Sequence, residues 1–241
     1  MLRIYSLQIF LILFLGSVLQ TDGWGQRKAN AYNYLEFKNK PYYFGIAMGY
    51  ANSNYRIEHS DDFILNEEYI RAQSLSGPGL RIGVIGNLKF GEFFDFRIVP
   101  GFAFTERRLD YLRVSSDGRT QADLERIEST FFELPMLIRY KSKPYRDLRF
   151  FILSGIKYTY DISNNSRTRQ AENLILTASH DYAFEFGVGV QIFFPYFIFS
   201  PQIKVSHGMG NILLHNGALE KSNIIDRINS SMISFSLNFE G

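Results

Sequence analysis

Large apolar residues alternate with small or polar residues along most of the chain, and this period of two is its most constraining feature. Between Tyr42 and Tyr50 every even-numbered residue is large and apolar, whereas Gly45, Ala47 and Gly49 stand between them. A helix repeats every 3.6 residues, so an alternation of this kind predicts β-strands with one apolar face.

Eight such runs follow one another, and they predict an all-β protein. Each run can supply the roughly 9–11 residues that a tilted strand needs to cross a membrane. The runs lie near residues 42–50, 80–90, 94–104, 132–140, 150–158, 182–192, 197–206 and 232–239.

The small residues indicate which face points inward. A soluble barrel or sandwich turns its apolar face inward, whereas an outer-membrane barrel turns it toward lipid. Here the non-apolar face carries many glycines, which relieve crowding in a narrow barrel, and the chain holds 23 Phe and 15 Tyr, which lipid accepts. We therefore predict an all-β fold: an eight-stranded antiparallel outer-membrane (transmembrane) β-barrel over residues 42–241.

The connections between the runs alternate in length. Four long segments are expected to lie outside the cell and three short turns in the periplasm, together with both termini. The long segments are Ser60–Gly77, Arg113–Arg126, Asp161–Thr177 and Gly208–Asp226, and the short turns are Gly91–Glu92, Lys141–Asp147 and Pro195–Tyr196.

The first residues are typical of an export signal. Arg3 precedes the apolar run Ile4–Leu19, and Gly23 and Gly25 supply small residues before a cleavage site. We predict a signal peptide over residues 1–25 and a periplasmic lead-in over residues 26–41, which nothing in the sequence orders. The alternative is an uncleaved anchor, which the shortness of the apolar run disfavours.

Charged residues of both signs fall on the face that is predicted to line the lumen. Because buried charges must pair, we expect a connected polar network that fills and stiffens the barrel. The alternative is a proton or ion path; a general porin is disfavoured because eight strands enclose only side chains. The network residues are Arg81, Lys89, Asp95, Arg97, Glu133, Arg139, Lys157, Glu185 and Lys204.

The sequence predicts no enzyme, no cofactor and no metal site. It has no cysteine and no nucleotide-binding or zinc-protease motif. Of its four histidines, His207 follows Ser206 in a strand, and neighbouring strand residues face opposite sides. The net charge of +2 gives no support to a nucleic-acid partner, and no small-molecule substrate is evident.

Several segments together resemble the PorT family, outer-membrane barrels of the type IX secretion system. The likeness covers most of the chain after the signal peptide, and the order and spacing of the segments make it fairly specific. The segments are Tyr34–Pro41 leading into Tyr43–Gly45, then Pro78–Leu80, Phe96–Phe104, Glu128–Thr130, Glu133–Pro135, Lys141–Lys143, Glu185–Gly189, Phe199–Gly208 and Asn238–Glu240.

This resemblance implies an accessory barrel needed for type IX protein secretion, and in some bacteria for gliding motility. Such a protein would act in the assembly or maturation of the secretion machinery, with outer-membrane lipid and other proteins as partners. The alternatives are a structural or adhesive small barrel and a lipid-modifying barrel enzyme. Candidate contact segments are Lys141–Asp147 and Ala29–Lys40.

Overall fold

A computed structural model describes residues 32–59, 69–114, 120–163, 176–214 and 225–241. The described part contains one short helix and a set of antiparallel strands, ten of which form a single sheet. In chain order these elements are α1 Tyr34–Lys38, β1 Tyr42–His59, β2 Tyr69–Leu75, β3 Gly77–Phe90, β4 Phe94–Ile98, β5 Gly101–Val114, β6 Thr120–Lys141, β7 Leu148–Asp161, β8 Leu176–Thr177, β9 His180–Phe193, β10 Ile198–Gly208, β11 Leu213–Leu214 and β12 Ile225–Glu240.

The sheet closes on itself. Strand β1 pairs antiparallel with β3 on one side and with β12 on the other, so the first and last wall strands are neighbours. Ser76 alone separates β2 from β3, and Val99 and Pro100 separate β4 from β5, so the ten segments form eight wall strands. The predicted eight-stranded antiparallel barrel is confirmed, and its closure pairs the first and last wall strands, which would otherwise be open edges.

The two faces of the wall have the predicted orientation. Outward side chains are widely exposed, for example 62% for Phe44 and 60% for Ile138, whereas Asp95 and Arg139 on the inner face are 0% exposed. Small residues make room for large ones inside the ring. A Cβ added to Gly189 would lie 2.4 Å from the ring of Phe151, which is closer than packing allows.

Parts of the predicted loops are strand instead. The segment Arg113–Arg126 was expected to be a polar connection. Instead, β5 continues to Val114 and β6 begins at Thr120, and these two residues are paired in the sheet. Strand β2 likewise lies inside the predicted loop Ser60–Gly77. The sequence of these strand extensions is rich in polar and charged residues, so it has no sustained hydrophobic alternation to reveal them. As a result, connection 115–119 is shorter than 142–147, and the expected strict alternation of lengths fails at this hairpin.

The described part of the lead-in before β1 contains a helix. Within it, α1 places Tyr34 and Phe37 in a small apolar cluster with Phe193 and Ile198, at the barrel end that carries the short connections. We call this the short-turn end; its connections are residues 91–93, 142–147 and 194–197. The predicted signal peptide lies outside the described residues. Within the described ranges, no helix combines the length and apolar character that crossing a membrane requires.

Candidate functional site

A first cluster of buried charges surrounds Asp95 near the short-turn end. The Asp95 carboxylate accepts hydrogen bonds from Arg139 Nε at 3.1 Å and from the Tyr43 hydroxyl at 3.1 Å. It also forms ion pairs with Arg139 and with Lys141. Arg139 in turn donates to the Tyr43 hydroxyl, and its guanidinium carbon lies 4.9 Å from the centre of the Phe151 ring. We call this group the Asp95 cluster.

The Asp95 cluster extends across the lumen to the last strand. Arg97 Nε donates to Asn87 Oδ1 at 3.0 Å, and Arg97 also forms an ion pair with Glu240 at 2.7 Å. Arg139 approaches the same Glu240 carboxylate at 3.7 Å. Arg97, Arg139 and Lys141 are among the largest fully buried side chains in the described part of the chain.

A second cluster lies farther from the short-turn end and is built on two glutamates. Glu133 accepts from Arg81 Nε at 2.7 Å and from Lys157 at 3.1 Å. Lys157 also reaches Glu185 at 3.4 Å, and Lys204 pairs with Glu185 at 2.8 Å. The five residues form a continuous chain of alternating charge, which we call the Glu133 cluster.

The structure therefore divides the nine residues expected in the lumen. Asp95, Arg97 and Arg139 belong to the Asp95 cluster, and a further five form the Glu133 cluster. Lys89 stands apart, because its ammonium group donates to the backbone carbonyl of Phe37 in α1.

Four residues of the Asp95 cluster were not among the predicted network residues. They share the inward face of their strands, so the period of two contained the signal for them. These residues are Tyr43, Asn87, Lys141 and Glu240. Lys141 follows the inward residues Leu137 and Arg139 of β6, and Glu240 follows the inward residues Ser236 and Asn238 of β12.

The lumen around the Glu133 cluster is densely filled. Two cavities among the inward side chains have volumes of about 30 Å³ and 20 Å³. Each has room for about one or two water molecules. Leu137, Phe151 and Leu153 add an apolar inner patch beside the charges. This arrangement favours a stiff, plugged barrel over one that passes solutes.

His180 and His207, the two histidines whose side chains the structure describes, make no hydrogen bond to a serine in the described residues. Ser206 faces inward and is 5% exposed, whereas His207 faces outward, with Nε2 at 3.4 Å from an Arg56 guanidinium nitrogen. His180 lies on the outer wall against Tyr158. Within the described part of the chain, no three His, Cys, Asp or Glu side chains are grouped closely enough to hold a metal ion.

A closed antiparallel ring with an apolar outer belt and a charged, filled lumen defines a small transmembrane β-barrel. The chain matches the family model described as "Outer membrane protein beta-barrel domain" over residues 28–214, and it belongs to this family. It is a protein of the outer membrane, and its apolar outer face contacts lipid. In such barrels the short turns face the periplasm, so the short-turn end is the periplasmic end.

Solved structures with a similar architecture are also outer-membrane proteins. OprG from Pseudomonas aeruginosa is 11% identical, with a TM-score of 0.46 over 82% of this chain and 94% of that chain. Neisserial surface protein A is 12% identical, with a TM-score of 0.38 over 81% and 95%. AlkL, solved in lipid bilayers, is 11% identical, with a TM-score of 0.41 over 91% and 95%. No curated protein sequence is significantly similar to this chain.

Proposed function

We propose that this protein is an accessory outer-membrane barrel of type IX protein secretion, which acts by assembly or maturation of the machinery through protein contacts. The segments that resemble the PorT family suggest this role. A lumen filled by buried ion pairs supports it, because such a barrel is better suited to contact other proteins than to conduct cargo. In this proposal the lumen clusters hold the barrel rigid.

The observation that carries the proposal is the ordered surface at the short-turn end. The two candidate contact segments meet there, because the Tyr34 backbone N–H donates to Asp147 Oδ1 at 3.2 Å. Asn33 Nδ2 also donates to the carbonyl of Phe193 at the end of β9, at 3.1 Å. Exposed side chains cover this surface, including Leu35 at 50% and Tyr145 at 70%. A rigid, partly apolar surface in the periplasm is suited to hold a protein partner.

The test is deletion of the gene, followed by measurement of secreted proteins that carry the C-terminal sorting domain. We expect their loss from the medium and their accumulation in the periplasm, with gliding affected in bacteria that glide. Unchanged secretion would overturn the proposal and favour a structural or adhesive barrel. A changed envelope lipid composition with normal secretion would favour a lipid-modifying enzyme.

Photo-crosslinking locates the contact. A photoreactive amino acid replacing Leu35 or Tyr145 should capture periplasmic or outer-membrane proteins of the secretion machinery in intact cells. The matched control is the same amino acid in place of Ile46, which is 53% exposed but lies on the lipid-facing wall. Equal protein capture from all three positions would contradict a specific contact at the short-turn end.

We also propose that residues 1–25 are a cleaved signal peptide. Its support is the Arg3, Ile4–Leu19 and Gly23–Gly25 pattern. N-terminal sequencing of the protein purified from outer membranes should begin at Gln26. A protein that retains Met1 or Leu2 would indicate an uncleaved anchor instead.

A further inference from the structure

A cavity of about 200 Å³ opens at the short-turn end, lined by α1 and by the ends of several strands. Its walls combine aromatic rings with an excess of positive charge. Lys38, Lys89, Lys141 and Arg149 line it, and Glu92 is the carboxylate residue among its described lining residues. Lys141 is already paired with Asp95, and Lys38 is exposed to solvent, so Arg149 and Lys89 remain to be accounted for.

Arg149 is the most unusual of them. It is 4% exposed, yet both of its acceptors are neutral: Nε donates to the Ser142 carbonyl at 2.7 Å, and one terminal nitrogen donates to the Glu92 carbonyl at 2.6 Å. Its guanidinium lies 5.6 Å from the centre of the Tyr34 ring. In the portion of the chain that the structure describes, no carboxylate forms an ion pair with Arg149, although burying an uncompensated charge is costly.

Lys89 is in a similar position. Its ammonium group donates to the Phe37 carbonyl and lies 5.4 Å from the centre of the Tyr43 ring. Among the described residues it also makes no ion pair with a carboxylate. Two cations with neutral acceptors therefore line one cavity, together with the rings of Tyr34, Phe37 and Phe193.

We propose that this cavity binds a carboxylate that a periplasmic protein segment presents, either a glutamate side chain or a chain terminus. A guanidinium fork matches the geometry of a carboxylate, and a second cation and partial burial strengthen the attraction. The aromatic walls suit the apolar stem that carries such a group. The small volume admits about one side chain. This inference rests on the proposed function, for which it supplies the chemistry of one contact.

The test uses the full mature barrel, folded in lipid nanodiscs, and capped synthetic peptides. One peptide contains a central glutamate, a second has glutamine in its place, and a third lacks glutamate but has a free C-terminal carboxylate. Binding is followed through the Arg149 side-chain Nε–H signal by NMR. We expect the two carboxylate peptides to shift this signal, and the glutamine peptide to bind at least about tenfold more weakly, because a charged hydrogen bond is lost.

Two variants with the same change of charge provide the comparison. Arg149→Gln should weaken binding of the glutamate peptide about tenfold or more, measured by fluorescence anisotropy of a labelled peptide, whereas Arg146→Gln should not change it. Arg146 is exposed at the same end but does not line the cavity. If Arg149→Gln fails to fold, Lys89→Gln replaces it, with Lys143→Gln as its exposed control.

Equal binding of the glutamate and glutamine peptides would overturn the proposal, as would unchanged binding in both cavity variants. Inorganic phosphate that binds more tightly than either carboxylate peptide would overturn the assignment to a protein carboxylate. Failure of the carboxylate-binding proposal can be distinguished from failure of the proposed role in secretion. Loss of secretion on gene deletion without peptide binding leaves the secretion role in place and removes only this contact.

Discussion

Arg97 on β4 forms an ion pair with Glu240 at the end of β12, with the two charged atoms 2.7 Å apart and both side chains at most 1% exposed. The strands are not neighbours: β4 pairs with β3 and β6, whereas β12 pairs with β1 and β10. The pair therefore spans the lumen and ties opposite sides of the ring together. Because both groups are buried, the loss of either one would leave the other as an unpaired charge inside the barrel, which is strongly destabilising.

The first prediction follows from this pair. Glu240→Gln preserves the shape of the side chain but removes the charge that faces Arg97 and Arg139. Breaking a buried ion pair costs about 3–5 kcal/mol, so we expect a loss of this order in the free energy of unfolding. Urea unfolding from lipid vesicles measures it, with Glu58→Gln on the exposed face of β1 as the control. A loss as small as that of the control would show that the cross-lumen pair contributes little.

A second prediction ranks two members of the Asp95 cluster. Asp95→Asn leaves Arg139 and Lys141 without their common counter-charge, whereas Tyr43→Phe removes a hydroxyl that donates to Asp95 and accepts from Arg139. The first should cost about 3–5 kcal/mol and the second about 2 kcal/mol. The same unfolding measurement applies, and Tyr50→Phe, at an outward position, should have little effect. A larger loss for Tyr43→Phe than for Asp95→Asn would show that the Tyr43 hydroxyl makes the main stabilising interaction of the cluster.

The fold was predictable because a membrane imposes a strict pattern on the strands that cross it. Tyr42–Tyr50 must turn every second residue to lipid, so its alternation was sufficient to assign the strand and both faces. The parts of β5 and β6 within Arg113–Arg126 are rich in polar and charged residues and carry no such alternation, so this segment was expected to form a loop.

The sequence predicted which charged residues face the lumen, but it did not predict which of them form ion pairs with one another. The period of two placed Glu133 and Glu185 in the lumen. Their connection through Lys157 depends on the register between strands, which one sequence does not reveal. Lys141 was assigned to a turn because the strand end was placed one residue too early. The order in α1 arises from contacts with Phe193 and Ile198, which are distant in sequence.

A third prediction concerns the close approach of β6 and β7. A Cβ at position 155 would lie 2.1 Å from the Met136 carbonyl oxygen, which is part of the backbone and has little freedom to move. Gly155→Ala should therefore destabilise the barrel by about 1–3 kcal/mol, the usual range for overpacking. Gly210→Ala is the control, because nothing lies within 4 Å of its added Cβ. Unfolding midpoints in urea would reveal the difference, and equal midpoints would contradict it.

A fourth prediction tests the depth of the wall in the bilayer. Phe186 is central in β9 and is 49% exposed on the outer face, whereas Tyr42 begins β1 at the short-turn end. An arginine at the bilayer midplane costs about 2–4 kcal/mol, and near the interface about 0–1 kcal/mol. Phe186→Arg should thus reduce the free energy of folding into vesicles much more than Tyr42→Arg. Comparable losses would mean that the lipid belt is centred elsewhere on the wall.

The last prediction tests whether α1 is held by its aromatic contacts. The Phe193 ring lies 5.2 Å from the ring of Tyr34 and 5.9 Å from that of Phe37. Phe193→Ala removes both contacts, and truncation of a buried aromatic residue costs about 3–5 kcal/mol, more than a five-residue helix can withstand by itself. Trypsin should then cleave after Lys38 at least tenfold faster while the barrel stays folded. Phe194→Ala, which removes an outward ring from the neighbouring position, should leave cleavage unchanged. If both variants are cleaved at the wild-type rate, α1 is held by its hydrogen bonds to Asp147 and to the Phe193 carbonyl, and the aromatic contacts are secondary.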